Sequence, residues 1–488
     1  MSTEIRRTAS LCPVCLRKLP ASLERIDDSV VLMKKTCPRH GTFRIPVWKD
    51  RIALESWIAR EAPLTETETE KCSGDCRTCS GIGGVHGQDT CCVILEVTKS
   101  CNLHCSYCFA HGGESDDMPS YEDLCAAINV IAEKGGGPLI QLSGGEPTLR
   151  DDLPALLAYA KKAGCRYTQI NTNGIRLAED EEYVRALALA GLDIVFLQYD
   201  GTDDAVYRKL RGRNLLEIKQ QAIKNCGKYH VGVTLVPTIV RGINDQELGN
   251  IIRDAISFFP VVRSVHFQPV THLGRYPDRP VNDYSTDLCT TDRFKTDSHT
   301  SDALMTDSCT IDGLTADRYT LDELMADLCR QTGIPENSLL PSRCDHAMCE
   351  FHSTFLVNSR RQLLPMSDRA HDTRRERTPA ARNRQYVAEH WRGNLSGSKL
   401  TDRKEIPDAD PAFTGHEPDI PLISTEKEDM DFDEFVRMMR TQTMKISAMA
   451  FQDAMNIDLE RLYRCSLHVY ENGRLLPFCS KYLTPVRG

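Results

Sequence analysis

Cys101-Asn-Leu-His-Cys105-Ser-Tyr-Cys108 directly follows the apolar, strand-like run Val93 to Thr98. Three thiols this close together can wrap one face of an iron–sulfur cube, yet a cube has four irons, so one iron is left without a cysteine from this loop. An open iron, like the open position of a catalytic zinc, accepts a bidentate ligand. The chemistry is therefore expected at Cys101, Cys105 and Cys108. A structural zinc site is the competing reading, and the absence of a fourth nearby ligand weighs against it.

A second stretch agrees with the first. Ser143-Gly144-Gly145-Glu146-Pro147 follows the apolar run Leu139 to Leu142. Glycines at a strand end let backbone approach a ligand closely, and Glu146 is expected to accept from an ammonium group. Together the two stretches resemble the radical SAM superfamily, whose loop is C-x3-C-x-aromatic-C and whose second strand ends in Gly-Gly-Glu-Pro. The resemblance implies a 4Fe-4S cluster on Cys101, Cys105 and Cys108, with S-adenosylmethionine bound through its amino and carboxylate end. It also implies Tyr107 near the adenine, and Gly144, Gly145 and Glu146 around the methionine amine.

The chain has 488 residues, 41% apolar and 26% charged, with a net charge of -9. That length suits two or three domains, and the acidic balance excludes nucleic-acid binding as the main role. No apolar run approaches the ~20 residues of a membrane span, and no signal peptide is visible. The 21 cysteines are grouped at short spacings, which reads as metal ligation in a reducing cytoplasm.

Cys12-Pro-Val-Cys15 and Cys37-Pro-Arg-His40 have the form of two metal knuckles for one tetrahedral zinc or rubredoxin-like iron. The alternative leaves His40 as a surface residue. Next come Cys72, Cys76 and Cys79, followed by His86, Cys91 and Cys92. They read as a second cluster, with Cys91 among the candidates for its fourth ligand. Expected strands at 93–98, 139–143, 167–172, 193–199, 231–237 and 263–270 alternate with helical periodicity, capped at Ser120 and Asn244. Such βαβ units give an α/β fold, a partial (β/α)6 TIM-like barrel, which is also the core architecture the resemblance implies.

Ligands sit at the carboxyl ends of barrel strands, which singles out Asn171, Asn173, Gln198, Asp200, Thr238, His266 and Gln268. Of these, Asn173, Gln198, Asp200, His266 and Gln268 are candidate cofactor contacts. A plain turn at Asn173-Gly174 and a core histidine at His266 are the alternatives.

Aspartates recur every fifth residue from Asp287 to Asp327. The residues after them are mostly not apolar, so 285–316 reads as an exposed low-complexity insertion and Thr320 to Gln331 as a helix. Residues 367–415 read as a connection; a basic patch for anionic headgroups at Arg374 to Arg377 is the alternative. Phe432 to Met455, rich in methionine, is expected to be helical and to pack in the core or against a long apolar ligand. A hairpin around Glu471-Asn-Gly473 would bring Cys465 and Cys479 together, and with Cys344 and Cys349 they make four ligands for another auxiliary cluster.

The expected organisation is a metal-knuckle module over 1–65, a cluster segment over 66–92 and the barrel over 93–275. The insertion covers 276–318, and a C-terminal Fe-S cluster region with methionine-rich helices covers 319–488. The N-terminal knuckles, the two cysteine triplets and the C-terminal Gly-Arg-x2-Pro-Phe-Cys resemble the radical SAM group that includes tetraether lipid synthase, first discussed as class D methyltransferases. This resemblance implies C–C bond formation between lipid chains, started by a 5′-deoxyadenosyl radical and assisted by one or two auxiliary 4Fe-4S clusters. It also implies a ferredoxin or flavodoxin as electron donor, and a cytoplasmic site, peripheral at the inner face of the membrane. Methylation or C–C bond formation on a small heterocycle such as a pterin, or on a peptide, are the alternatives.

Overall fold

The computed structural model describes residues 2–26, 29–61, 90–116, 118–277, 318–342, 344–366, 421–424, 438 and 441–485. Cys72, Cys76, Cys79 and His86, the aspartates from Asp287 to Asp317 and the connection 367–415 lie outside these residues.

Four antiparallel strands, β1 (Ser2–Leu11), β2 (Lys18–Ile26), β3 (Val30–Cys37) and β4 (Gly41–Trp48), pair in chain order. Alternation puts Val31, Met33, Lys35 and Cys37 of β3 on the buried face. This module is fastened to a C-terminal segment. Arg6 pairs with Asp458 and Glu460, Thr8 donates to Asp458 at 2.7 Å, and the buried Lys35 ammonium reaches Ser10 at 3.0 Å and the Ala454 carbonyl at 3.2 Å.

The central sheet begins with β5 (Cys92–Thr98), β6 (Leu139–Gly144), β7 (Tyr167–Thr172), β8 (Ile194–Gln198), β9 (Gly232–Val236), β10 (Thr238–Ile239) and β11 (Val262–Pro269). All six expected barrel strands are present, and β5 to β9 and β11 run parallel. Helices between them pack on the outer face. In the helix Tyr121–Lys134 the Ser120 side chain caps the Asp123 amide, and Leu124, Ile128 and Ile131 are buried. Asn244 does not cap the helix that follows it, Leu248–Ser257. Its side chain is spent inside the barrel rim, donating to the Asp200 and Thr238 carbonyls at 2.8 Å each.

The C-terminal region joins this sheet at both edges. Beyond β11 lie β15 (Thr443–Met449), β13 (Glu350–Val357), the short β12 (Leu340–Pro341) and β14 (Leu363–Pro365); beyond β5 lie β16 (Leu467–Glu471) and β17 (Arg474–Pro477). The expected hairpin is thus present, and the expected helix at Thr320 forms as Leu321–Thr332 with a capping box.

The methionine-rich segment differs from expectation. Its described portion is mainly strand β15, parallel to β11 and antiparallel to β13. Pairing on both sides satisfies every ladder, and this tertiary context overrides the mild helix preference of methionine. No described helix is long and apolar enough to cross a membrane.

Met444 is fully buried in this strand. Met444→Ala should cost about 2–5 kcal/mol, measured by denaturant unfolding, whereas a solvent-facing helical methionine would cost less than ~0.5 kcal/mol.

Candidate active site and metal centre

The cluster loop leaves β5 at Thr98 and is laid against the end of β6. Gly145 N donates to Thr98 O and Glu146 N to Ser100 O, both at 2.7 Å. Gly144 has φ +124°, and a Cβ there would lie 2.1 Å from Thr98 O; one on Gly145 would lie 2.1 Å from Ser100 O. The glycines are thus required by chain-on-chain contact, whatever they also do for a ligand.

Two arginines hold the loop from the other side. Arg275 Nε donates to Cys105 O at 2.9 Å and Nη2 to Gly112 O at 2.7 Å, while its own backbone exchanges two 2.8 Å bonds with Cys108. Arg211 forms a buried bidentate pair with Asp200, 2.7 Å for each bond, and donates to Tyr107 O at 3.3 Å. Burial works against the Arg211 charge, and Asp200 with the Cys105 thiol more than restores it. Neither arginine was singled out from the sequence, because no local spacing links them to the cysteines.

Cys101, Cys105 and Cys108 are free and half-buried. Burial pushes the Cys101 thiol up to about 12, and Glu146, Cys105 and Cys108 add to it. Three thiols that would repel one another as anions, with an arginine pair closing the loop, suit a polycationic iron cluster that displaces their protons. The donor set therefore fits the three-coordinate cluster.

Several polar candidates are occupied by the protein itself. Glu146 is buried, and its carboxylate accepts from Thr148 N (3.1 Å), Thr148 Oγ1 (2.6 Å), Thr172 Oγ1 (2.6 Å) and Asn173 N (2.7 Å). It ties the ends of β6 and β7 together, unlike the free ammonium acceptor expected. Asn173 reaches Asn102 at 2.7 Å, and Gly174 beside it is left-handed at φ +79°. Asp200 is closed by Arg211 rather than open to a cofactor. Gln198 receives the fully buried Lys219 ammonium at 3.2 Å, and Lys219 also donates to Asn173 O. Burial lowers Lys219 to about 8. Its helical neighbours are ordinary, so the sequence carried no sign of it.

On the inner face of the barrel, His266 Nδ1 meets Ser447 Oγ at 2.8 Å, and burial lowers the ring to about 3, so it is neutral. Gln268 is half-buried one inner-face step further along β11.

In the N-terminal module, the ligand atoms of Cys12, Cys15, Cys37 and His40 lie within 4.8 Å of one another. His40 Nδ1 is 3.4 Å from Cys12 Sγ and 3.5 Å from Cys37 Sγ, and Cys15 and Cys37 are 4.0 Å apart. Ligands of a tetrahedral zinc with ~2.3 Å Zn–S bonds stand about 3.8 Å apart, so the set fits a zinc or similar ion. Burial opposes the Cys37 thiolate, but the Arg39 amide and His40 outweigh it and bring the thiol to about 6.

At the C-terminal edge lie half-buried Cys349 and Cys465 and buried Cys479; Cys479 and Cys349 oppose ionisation of Cys465, Cys349 opposes that of Cys479, and Arg461 donates to Cys349 Sγ at 3.3 Å. Cys344 instead hydrogen-bonds Cys91, which with burial pushes it well above the usual thiol range. Cys91 thereby belongs spatially to the C-terminal thiols.

A strand-end glycine pair facing an open three-cysteine loop defines a radical SAM enzyme, and the family described as "Radical SAM superfamily" matches residues 95–255. Residues 4–49 match the "HMPTM N-terminal zinc ribbon domain". The chain belongs to the family of 7,8-dihydro-6-hydroxymethylpterin dimethyltransferase: it is 32% identical to the Methanocaldococcus jannaschii protein of that name over 498 residues, covering 97% of this chain and 93% of the relative. A probable GTP 3′,8-cyclase of Methanothermobacter thermautotrophicus is 34% identical over 33% of this chain and 53% of its own. Among solved structures, Streptococcus suis SuiB aligns with a TM-score of 0.34 and 16% identity, over 42% of this chain and 47% of that one.

Arg211→Ala leaves Asp200 buried and unpaired, at a cost of about 3–5 kcal/mol. It should lower iron bound per chain while zinc stays constant, as measured by elemental analysis; unchanged iron would contradict the clamp. His40→Ala should have the opposite selectivity, losing zinc and sparing the 4Fe-4S absorbance.

Proposed function

We propose that this chain is a radical SAM enzyme that forms carbon–carbon bonds on a pterin-like heterocycle, adding methyl groups to it. The observation that carries this reading is the end-to-end match to a protein whose name specifies a dihydropterin as the molecule methylated. The barrel interior supports it: Gln141, Gln169, Thr234, Ser264, His266 and Ser447 are all buried polar residues on the inner face. A polar interior of this kind suits a heterocycle better than a hydrocarbon. The expectation of lipid chain coupling came from the resemblance to the tetraether lipid synthase group, and the methionine-rich segment that would admit a long apolar ligand forms sheet core in β15, with Met449 half-buried at the inner rim.

Cys101, Cys105 and Cys108 would hold the cluster, which with S-adenosylmethionine supplies hydrogen-atom abstraction. The chain's own task is positional. Arg211 and Arg275 fix the loop by its carbonyls, and Lys219 and Glu146 tie the strand ends that face it. Cys344, Cys349, Cys465 and Cys479, and Cys72, Cys76, Cys79 and Cys91, are the ligands we assign to one or two auxiliary clusters. The proximity of Cys91 to Cys344 supports a shared neighbourhood for the two sets. A ferredoxin or flavodoxin in the cytoplasm would supply electrons.

The test is anaerobic incubation of the reduced protein with S-adenosylmethionine, a methylene-carrying reduced folate or tetrahydropterin as the source of the methyl carbon, and 7,8-dihydro-6-hydroxymethylpterin, followed by mass spectrometry. The expected product is heavier by one or two methyl groups. An unchanged pterin, with long-chain diether lipids instead joined end to end, would overturn the reading.

A further inference from the structure

The cluster loop lies at the molecular surface. Cys101, Cys105 and Cys108 are half-buried, while Asn102 and His104 between them are exposed. The helix Asp204–Arg211 lays one face against this loop and shows the other to solvent. Its Tyr207 packs with Leu103, and its Leu210 with Tyr107. Ser106 N donates to Leu210 O at 3.2 Å and Ser106 Oγ to Lys209 O at 3.5 Å. Arg208, Lys209 and, just past the helix, Arg213 are exposed. They stand beside the thiols because the residues between them hold the loop.

The chain as a whole is acidic, with 69 Asp and Glu against 60 Lys and Arg, yet neither 99–108 nor 208–214 contains a carboxylate. Buried Arg211 is neutralised by Asp200, so the uncompensated charges are the exposed ones. Arg208 donates to the neutral Asn214 Oδ1 at 2.9 Å, and Lys209 and Arg213 form no ion pair among the described residues. The carboxylates nearest in sequence are spent on backbone: Asp203 accepts from Ala205 N at 2.7 Å, and Asp204 from Leu215 N and Leu216 N at 2.8 and 3.0 Å. Exposed basic groups on other barrel helices are paired instead, Arg176 with Asp151, Arg185 with Glu182 and Lys228 with Glu181. A cluster of unpaired like charges on a surface of opposite overall sign steers a partner of complementary charge to that spot.

We infer that Arg208, Lys209 and Arg213 form the docking surface for an acidic one-electron carrier protein, which delivers its electron across the exposed turn of the cluster loop. This rests on the radical SAM part of the function proposed above and holds whichever molecule is methylated. Cleavage of S-adenosylmethionine consumes one electron, and the patch lies where that electron is needed. With a flavodoxin as carrier, the anionic flavin hydroquinone is oxidised to the neutral semiquinone, and one S-adenosylmethionine is reduced to methionine and a 5′-deoxyadenosyl radical; no proton moves between the two proteins. The patch acts on encounter and orientation, not on the bond that breaks.

Titration calorimetry of oxidised flavodoxin into the anaerobic, cluster-loaded full chain tests this, at about 20 mM and about 0.3 M salt. Wild-type binding should weaken at least about tenfold at the higher salt. A triple variant, Arg208→Glu with Lys209→Glu and Arg213→Glu, should bind at least about tenfold more weakly than wild type at the lower salt. Lys162→Glu with Arg166→Glu and Lys224→Glu makes the same change in net charge at exposed positions on the segments that lead into β7 and β9. That control should bind within about twofold of wild type. Formation of 5′-deoxyadenosine should follow binding when flavodoxin hydroquinone is the reductant, and be equal in all three proteins when dithionite replaces it. Equal loss of flavodoxin binding in both triple variants would make net charge responsible and overturn the inference. So would a loss of dithionite-driven cleavage in the Arg208, Lys209 and Arg213 variant, because those residues would then serve the site itself. Unaltered flavodoxin binding by that variant, with binding to phosphatidylglycerol vesicles lost instead, would assign the patch to lipid and equally overturn it. No 5′-deoxyadenosine from the wild type with dithionite would overturn the radical SAM site and this inference with it.

Discussion

Where Thr98–Ser100 passes Gly144–Glu146, two backbones meet with no space for a β-carbon between them, and every other feature of the site depends on that approach. The two 2.7 Å bonds across it join the end of one parallel strand to the start of the cysteine loop. A side chain on either glycine would lift the loop away from the barrel mouth. The thiols would then no longer stand over the ends of the strands, where a parallel barrel offers its ligand site.

The rest of the loop is held by charge as well as by the packing of Leu103 against Ile175, Tyr207 and Leu215. Asp200 and Arg211 form a bidentate pair inside the rim, and Arg275 clasps carbonyls on both sides of the third cysteine. A loop of eight residues with three metal ligands has little apolar surface to bury. Guanidinium groups suit it because each fixes several carbonyls in one planar geometry. The N-terminal metal module is held in a related way, by Arg6, Lys35 and Ser10 gripping the 454–460 segment that leads to Cys465. The zinc ribbon and the C-terminal thiols are thereby parts of one continuous structure.

Some of this was legible in the residues themselves. The six parallel strands, the Ser120 cap, the hairpin before Cys479 and the Cys12, Cys15, Cys37 and His40 grouping follow from local periodicity, turn chemistry and ligand spacing, which act over a few residues. What was not legible depends on distant partners. Methionines around 444 look helical until β11 and β13 flank them. Glu146 looks like a free carboxylate until Thr148, Thr172 and Asn173 surround it. Arg211, Lys219 and Arg275 carry no local mark, because their importance comes from where the chain returns to the loop.

The proposed function turns on whether a heterocycle or a hydrocarbon is the molecule attacked. The most direct test of this follows the hydrogen atom. With the dihydropterin deuterated at its carbon positions, the account predicts that deuterium appears in the 5′-deoxyadenosine released by the reduced enzyme. Unlabelled 5′-deoxyadenosine from that reaction, with deuterium instead transferred from perdeuterated lipid chains, would contradict it.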